Sequence, residues 1–391
     1  MKKIIRVVTH LGSLNNLLQG QLRFVSTHYN MIGVGSKGEP IDGQSIIEKL
    51  IQRENTRIIP VEMTRQITPI KDILALYHLY KVFKKEKPLI VHSHTPKAGT
   101  LAMIAAKIAG VPHRLHDIAG LPLVEATGIK RRILNTVEKI TYSFATKIYP
   151  NSFGLQDIII DNNFTDRKKM KVLGVGSSNG VNTSHFDPSL YSKESNIKLR
   201  EELSINKLDF LFIFLGRIVR DKGINELVNA FKQLAEKHNH TKLLLVGYYD
   251  PLTAELLPET IAEININKNI IVLNWQDDVR PFLSISNVLA FPSYREGFPN
   301  TVLEASAMKT PSIVADINGC NEIITDGLNG TIVPVKNTEA LQSGMERLLL
   351  DTKYYEHLID NSRTSICENY EQKDIWELIL AEYNELTKNE K

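Results

Sequence analysis

"VLAFPSYREGFPNTVLEASA", residues 288–307, decides the fold. It opens on the apolar run Val288-Leu289-Ala290-Phe291-Pro292, as a strand buried on both faces should. Residues 301–308 read as a helix, with Asn300 or Thr301 as its cap. The turn between them is Glu296-Gly297-Phe298-Pro299. A strand that turns straight into a helix is half of a βαβ unit, and such units build parallel sheets. No ordinary turn needs the two carboxylates Glu296 and Glu304. The stretch therefore also poses a chemical question.

The same alternation runs outward in both directions. Short β-type runs are expected at residues 4–8, 31–34, 57–59, 89–91, 114–115, 147–149 and 171–173, with helices such as 15–28, 69–85 and 97–109 between them. The pattern pauses at 172–194, "VLGVGSSNGVNTSHFDPSLYSKE", whose Gly, Ser, Asn and Pro content reads as loop and hinge. It restarts at "DFLFIFLG" (209–216) and continues through "KLLLVG", "NIIVLN" and "PSIVA". The expected architecture is α/β: two doubly wound, Rossmann-like domains, 1–183 and 184–368. An amphipathic C-terminal helix lies within 369–391, with Ile375, Leu378, Ile379, Tyr383 and Leu386 at helical spacing.

A length of 391 residues, 42% hydrophobic and 23% charged content suit a soluble globular protein of two domains. A net charge of +3 is too small to argue for nucleic acid. Cys320 and Cys367 have no metal-ligand spacing, and so few thiols fit a reducing compartment. "MKKIIRVVTHLG" lacks a signal peptide's cleavage site, and Arg6 interrupts its apolar run, so it reads as a first strand. No stretch reaches the ~18 apolar residues of a membrane span. A cytoplasmic location follows, with surface attachment to membrane left open.

"GVGSKG" (33–38) matches a dinucleotide fingerprint, but Glu39-Pro40 prevents the helix which that motif needs, leaving a Gly-rich surface loop. In "THLGSLNNLLQG", Gly12 permits a tight turn, and Ser13 or Asn15 can cap a following helix. "VHSHTPKAGTLA" sets His92, His94 and Lys97 at a strand end, where such sheets bind ligands, and "RLHDIAGLP" adds His116 and Asp117. Zinc lacks a third ligand of suitable spacing. In "FLGRIVRDKG" a buried strand ends at Gly216, and Arg217 and Lys222 follow before a helix, a pairing suited to a diphosphate. The helix after Pro299 offers free N–H groups to an anion, and Gly297 lets backbone approach a ligand. Glu296 and Glu304 would repel a phosphate but suit hydroxyls on either side of it. A sugar nucleotide has that layout. The plainer reading is one capping acid and one solvated acid.

The E-x7-E spacing in "EGFPNTVLE", with "GR…KG" upstream and "NGCNEIITDGLNG" downstream, resembles the retaining glycosyltransferases of family 4, which have the GT-B fold. "HSHTPKAG", "GLPLVEATGIKRRIL" and "GSSNGVNTSHF" resemble a bacterial branch that acts in capsule and O-antigen assembly. The resemblance implies two domains facing a cleft, the second binding the nucleotide-sugar and the first the acceptor, with the C-terminal helix crossing back to the first. It implies that Arg217 and Lys222 hold the diphosphate beside Gly216. Glu304 would take the ribose hydroxyls and Glu296 those of the transferred sugar. The backbone from Phe298 through Pro299 and Asn300 to Thr301 would face phosphate or sugar, and Trp275-Gln276 would lie by the base. Gly12-Ser13 would approach the phosphate, although the family has a glycine pair there. His116 would contact the donor sugar from the first domain, and His94, Lys97 and Asp117 would lie on the acceptor side. No D-x-D occurs, so transfer without a metal or other cofactor is expected. The implied acceptor is a polyprenyl-diphosphate-linked sugar or glycan. "GIKRRILNTVEKITYSFATK" (128–147) then reads as a basic amphipathic helix able to lie on an anionic membrane, or simply to pack on the sheet. Two other functions remain open at this level. A sugar-nucleotide 2-epimerase would convert its substrate with no acceptor. A non-catalytic binder would tolerate Glu296→Ala.

Overall fold

Runs of apolar residues separated by helices build two parallel sheets in this computed structural model, which describes residues 1–38, 45–250 and 254–388. The chain divides into a first unit, 1–179 with 372–391, and a second unit, 180–371. These boundaries fall four residues before and three after the positions 183/184 and 368/369 read from composition.

In the first unit the strands are β1 (Lys3–His10), β2 (Asn30–Ser36), β3 (Arg57–Pro60), β4 (Ile90–Ser93), β5 (His113–Ile118) and β6 (Lys147–Pro150). Their order is β3-β2-β1-β4-β5-β6, and every pair is parallel. The helices are α1 (Leu11–Asn16), α2 (Gln21–Ser26), α3 (Ile46–Glu54), α4 (Pro69–Glu86), α5 (Pro96–Ala109), α6 (Gly128–Phe144) and α7 (Phe153–Asp161). One face of the sheet packs on α4–α7, through residues such as Leu79, Phe83, Ala102, Tyr142 and Ile159. The other packs on α1–α3, through Leu14, Val25 and Leu50. The chain reverses direction in the sheet between β1 and β4, the position at which open α/β sheets bind ligands.

The second unit repeats the layout. Its strands are β7 (Phe210–Leu215), β8 (Thr241–Val246), β9 (Ile270–Leu273), β10 (Val288–Phe291), β11 (Ser312–Ala315) and β12 (Gly330–Val333). They lie in the order β12-β11-β10-β7-β8-β9, again all parallel. Around them lie α8 (Lys193–Glu202), α9 (Ile224–Lys237), α10 (Pro258–Ile266), α11 (Arg280–Ser284), α12 (Asn300–Ala307), α13 (Cys320–Ile323), α14 (Thr338–Leu350) and α15 (Thr352–Asn369). Phe212, Phe214, Leu244, Leu289, Leu303 and Ile313 are fully covered in its core, which is why β7 and β10 read as unbroken apolar runs.

The last helix, α16 (Gln372–Thr387), belongs to the first unit and inserts Ile375, Ile379 and Tyr383 beside Ile4, Leu14 and Tyr149. No helix among the described residues is long and apolar enough to cross a membrane.

Several local expectations are corrected. Residues 171–173 form no strand; only an isolated bridge joins Met170 to Ile148. The single helix over 15–28 is two helices, broken at Gly20, whose φ of +82° and contact with Trp376 admit no side chain. Gly33 and Gly35 lie inside buried β2 rather than in a surface loop, with Ile58 and Leu14 pressing on Gly33 and Val8 and Leu11 on Gly35; Glu39 and Pro40 lie outside the described residues. α1 starts directly after β1 at Leu11, so Gly12 makes no turn and neither Ser13 nor Asn15 caps a helix. The N-cap of α12 is Pro299, with no side-chain cap from Asn300 or Thr301.

Candidate functional site

The second unit gathers its predicted residues at the carboxyl ends of β7 and β10. After β7, Gly216 donates its N–H to Val246 O at 3.0 Å, and the chain enters a short 3-10 turn, Arg220–Lys222. Gly223 closes that turn at φ +72°, where a Cβ would meet Pro292 O at 2.1 Å. Glycine here is a requirement of close packing: it seats the basic loop on the end of β10. Tyr294 N–H donates to Asp221 O at 3.0 Å, and Arg295 pairs with the Asp221 carboxylate at 3.0 Å, fastening loop to turn.

Two cations result, in different states. The Arg217 side chain is 60% exposed, with its guanidinium 3.9 Å from Asp221. The Lys222 ammonium is mostly buried, forms an ion pair with Glu296, and lies 5.6 Å from the centre of the Phe291 ring. Glu296 is thus a partnered carboxylate. Glu296 and Gly297 are fixed from behind by Asn318, whose Nδ2 donates to Glu296 O at 2.6 Å and to Gly297 O at 3.4 Å. Gly319, at φ +77°, lets that segment approach: a Cβ there would stand 2.3 Å from Gly297 O. Close packing within the protein at this point thus requires glycine at 319. Cys320 follows, buried, with its thiol pushed well up by burial and by the nearby Glu296 charge. Asn318 and Gly319 were not singled out from sequence, although both lie in the "NGCNE" stretch.

Beyond Pro299, the first N–H groups of α12 have no intrahelical acceptor. Glu304 lies one turn inside the helix. Its side chain has no hydrogen-bond partner among the described residues, and crowding by protein atoms pushes its carboxyl up to about 7. Trp275 is exposed just beyond β9, its indole N–H donating to Asp277 at 3.1 Å.

The candidates in the first unit are placed differently. Asp117 is buried. It accepts from Arg6 Nη2 at 2.7 Å, from His92 Nε2 at 2.7 Å and from His94 Nδ1 at 3.0 Å. Burial would raise its carboxyl, yet the Arg6 charge and the histidine hydrogen bonds hold it well below the usual range. Tyr383 of α16 completes the cluster, 2.7 Å from His92 Nδ1 and 3.0 Å from Arg6 Nη1. Burial, then the Arg6 charge, push His92 down to about 4, so the ring is neutral and serves as connector. Asp117 is therefore an internal anchor that ties β1, β4 and β5 together. Its neighbour His116 points to the opposite face of β5. That ring is 3% exposed, packs against Gly99, and bonds Ser93 Oγ through Nδ1 at 2.9 Å. Burial lowers His116 to about 4, and α5 covers the ring through Gly99. His94 is buried with Nε2 unpartnered, and Lys97 is held by Asp72 at 2.5 Å. Gly12 and Ser13 lie in the first turn of α1, with open space beside Gly12.

Comparison with known proteins bears on this arrangement. Residues 195–365 match the family model "Glycosyl transferases group 1", and residues 43–152 match "Glycosyl transferase 4-like". A capsular polysaccharide biosynthesis glycosyltransferase, CapM of Staphylococcus aureus, is 33% identical over 99% of this chain and 98% of its own. A UDP-Gal:alpha-D-GlcNAc-diphosphoundecaprenol alpha-1,3-galactosyltransferase of Escherichia coli is 30% identical over 79% of this chain and 78% of its own. Among solved structures, Anabaena Alr3699/HepE with UDP and glucose superposes with a TM-score of 0.80 at 16% identity, over 98% of this chain and all of that one; at that identity the likeness is one of fold.

Proposed function

Because the chain belongs to the group 1 glycosyl transferases and is a glycosyltransferase, we propose that it moves a sugar from a nucleotide-diphosphate sugar, UDP-linked, to an acceptor on polyprenyl diphosphate. The setting is bacterial surface-polysaccharide assembly at the inner face of the cytoplasmic membrane. The donor and acceptor classes are those named for the Escherichia coli relative, and capsular polysaccharide biosynthesis is named for the Staphylococcus aureus one.

The observation that carries the reading is the pairing of Lys222 with Glu296 beside exposed Arg217, at the start of α12. A diphosphate arriving there gives Lys222 a doubly charged partner and frees Glu296 to accept hydrogen bonds from the transferred sugar. Glu304, unpartnered, accepts the ribose hydroxyls. Trp275 lies by the base. As the glycosidic bond breaks, negative charge grows on the departing diphosphate. Arg217, Lys222 and the N–H groups opening α12 stabilise that charge, the role a metal fills elsewhere. Glu296 binds hydroxyls and is no nucleophile. The acceptor hydroxyl therefore attacks on the face the diphosphate leaves, giving its proton to the departing phosphate and retaining configuration.

The test is transfer to a synthetic polyprenyl-diphosphate-linked sugar from a panel of nucleotide-sugars, with and without chelator. The expected outcome is an α-linked product, undiminished by chelation. Conversion of donor with no acceptor would support an epimerase instead. Activity lost in chelator and restored by magnesium or manganese would refute the metal-free step.

A further inference from the structure

The largest run of exposed apolar side chains in the first unit lies on α4, and no activity described above uses it. Ile70, Ile73 and Leu74 are 78%, 68% and 53% exposed, and Tyr77 is exposed beside them. Their spacing, i, i+3, i+4 and i+7, sets them in one stripe on the helix. The opposite side, Ala75, Leu79 and Phe83, is buried on the sheet. The stripe therefore faces away from the core. Ile67, exposed in the preceding loop, extends it.

Charge along the segment has one sign. From residue 64 to 87, Arg65, Lys71, Lys81, Lys84, Lys85 and Lys87 are exposed. The two acids there are both engaged: Asp72 with Lys97, and buried Glu86 with Lys3 and Arg57. Lys81 continues the apolar stripe by one turn, its ammonium 4.4 Å from the centre of the Tyr77 ring. The amino half of the outer face is thus apolar and the carboxyl half cationic. α6 lies on the same side of the sheet beyond α5, joined to it by Thr100 and Thr141 at 2.8 Å. It adds exposed Lys130, Arg132 and Lys139, and no exposed acid. Its exposed face interleaves these cations with Ile129, Ile133 and Ile140, so it offers charge more than a continuous apolar stripe.

We propose that α4 is the element that inserts into an anionic lipid bilayer, with its lysines and the α6 cations at the headgroups. This deepens the lipid-linked acceptor reading and rests on it. An apolar stripe rimmed only by cations is complementary to an apolar layer faced with anions. A second copy of the chain is the poorer partner. A two-fold contact brings each patch onto its own counterpart, and here that sets cationic rim against cationic rim. In a parallel sheet the starts of α4 and α6 lie at the carboxyl edges of β3 and β5. The inserted stripe is then at the same edge as the ligand-binding ends of the strands.

The experiment is flotation of the full chain with vesicles of phosphatidylglycerol and phosphatidylcholine, against phosphatidylcholine alone. The wild type should float with the anionic vesicles only and be released by salt. The double substitution Ile70→Ser, Ile73→Ser should lower partition by at least about tenfold, since both side chains leave water on insertion. Lys130→Gln with Arg132→Gln should weaken binding less and flatten its salt dependence. Thermal unfolding and UDP binding, both unchanged, show that the variants are folded. Wild type that ignores anionic vesicles, or an apolar double variant that still floats, overturns the proposal. So does a wild-type dimer that the double variant dissolves, with no vesicle binding. Transfer to a detergent-dispersed acceptor separates the two readings: if it persists while flotation fails, the enzymatic reading stands and the α4 proposal falls.

Discussion

If Glu304 takes the ribose hydroxyls, as proposed, donor binding should answer to pH. Its carboxyl is pushed up to about 7 by burial, with no charged neighbour contributing. The ionised carboxylate, acceptor-only on both oxygens, suits two ribose hydroxyls better than the protonated acid, which turns one oxygen into a donor. With a midpoint near 7, about nine tenths is ionised at pH 8 and about one tenth at pH 6. If only the ionised form binds, donor affinity falls about tenfold from pH 8 to pH 6, or about 1.4 kcal/mol. The direction follows from linkage: binding favours the charged form, so the complex releases a proton and tightens as pH rises, levelling off above the midpoint. UDP-glucose is a suitable probe, because its diphosphate diester has no proton to lose in that range. Isothermal titration at pH 6, 7 and 8, in two buffers of different ionisation enthalpy, reads affinity and proton release together. Glu304→Gln should bind about tenfold or more weakly at pH 8, losing hydrogen bonds to a charged acceptor, and should show a flat profile. A flat wild-type profile, or the same slope in Glu304→Gln, would refute the assignment of Glu304 to the ribose.

Four further outcomes are expected. Lys222→Met should lower kcat by about 10²–10³-fold, and far more than it raises KM, since the diphosphate's charge grows during the reaction; equal effects on both would point to simple binding. Gly319→Ala should cost about 2–4 kcal/mol from the left-handed backbone and the overlap with Gly297 O, read as a lower midpoint in urea, with donor binding lost in parallel. Asp117→Ala should destabilise the first unit by about 3–5 kcal/mol by leaving Arg6 buried and unpaired, whereas Tyr383→Phe should cost about 1 kcal/mol; urea unfolding compares them. His92 and His116 both have folded values near 4, below the unfolded 6.5, so the unfolded chain holds more protons between those values. Stability is therefore fully present above about pH 6.5 and is lost towards pH 4, at about 1.4 kcal/mol per pH unit for each histidine. Unchanged urea midpoints between pH 7 and 5.5 would contradict that burial.

The sequence is most readable where a rule acts over a few residues. Phe210–Leu215 and Val288–Phe291 are apolar throughout because both faces of their sheet are covered, and the alternation of such runs with helices yields the two-unit α/β fold. The E-x7-E spacing is equally local, and it sets Glu296 before α12 and Glu304 inside it. What fails to show is contact between distant residues. Lys222 and Glu296 are 74 positions apart, so their ion pair is invisible in either motif alone. Arg6 reads as a flaw in an apolar strand because its partners His92, Asp117 and Tyr383 come from β4, β5 and α16. The burial of neighbouring Asp117 and His116 is hidden for the same reason: adjacency in sequence does not tell which face of a strand is covered. Glycines mislead similarly, since Gly33 and Gly35 serve packing within β2, and the need for glycine at 319 comes from its packing on Gly297 O.

The membership of α16 in the first unit has a consequence for synthesis. Arg6 and Tyr383 touch across 377 positions, and Glu382 pairs with Lys147 and Lys171. The sheet that leaves the ribosome first therefore lacks the Tyr383 hydroxyl at its Arg6–Asp117 pair, the Glu382 partner of its two lysines, and the cover of Ile375 and Ile379 on one face until the whole second unit has been made. The second unit, continuous from 180 to 371, can fold as it emerges. The earlier-made half is the later finished, and a chaperone that shields β1 through that interval would raise the yield of active enzyme.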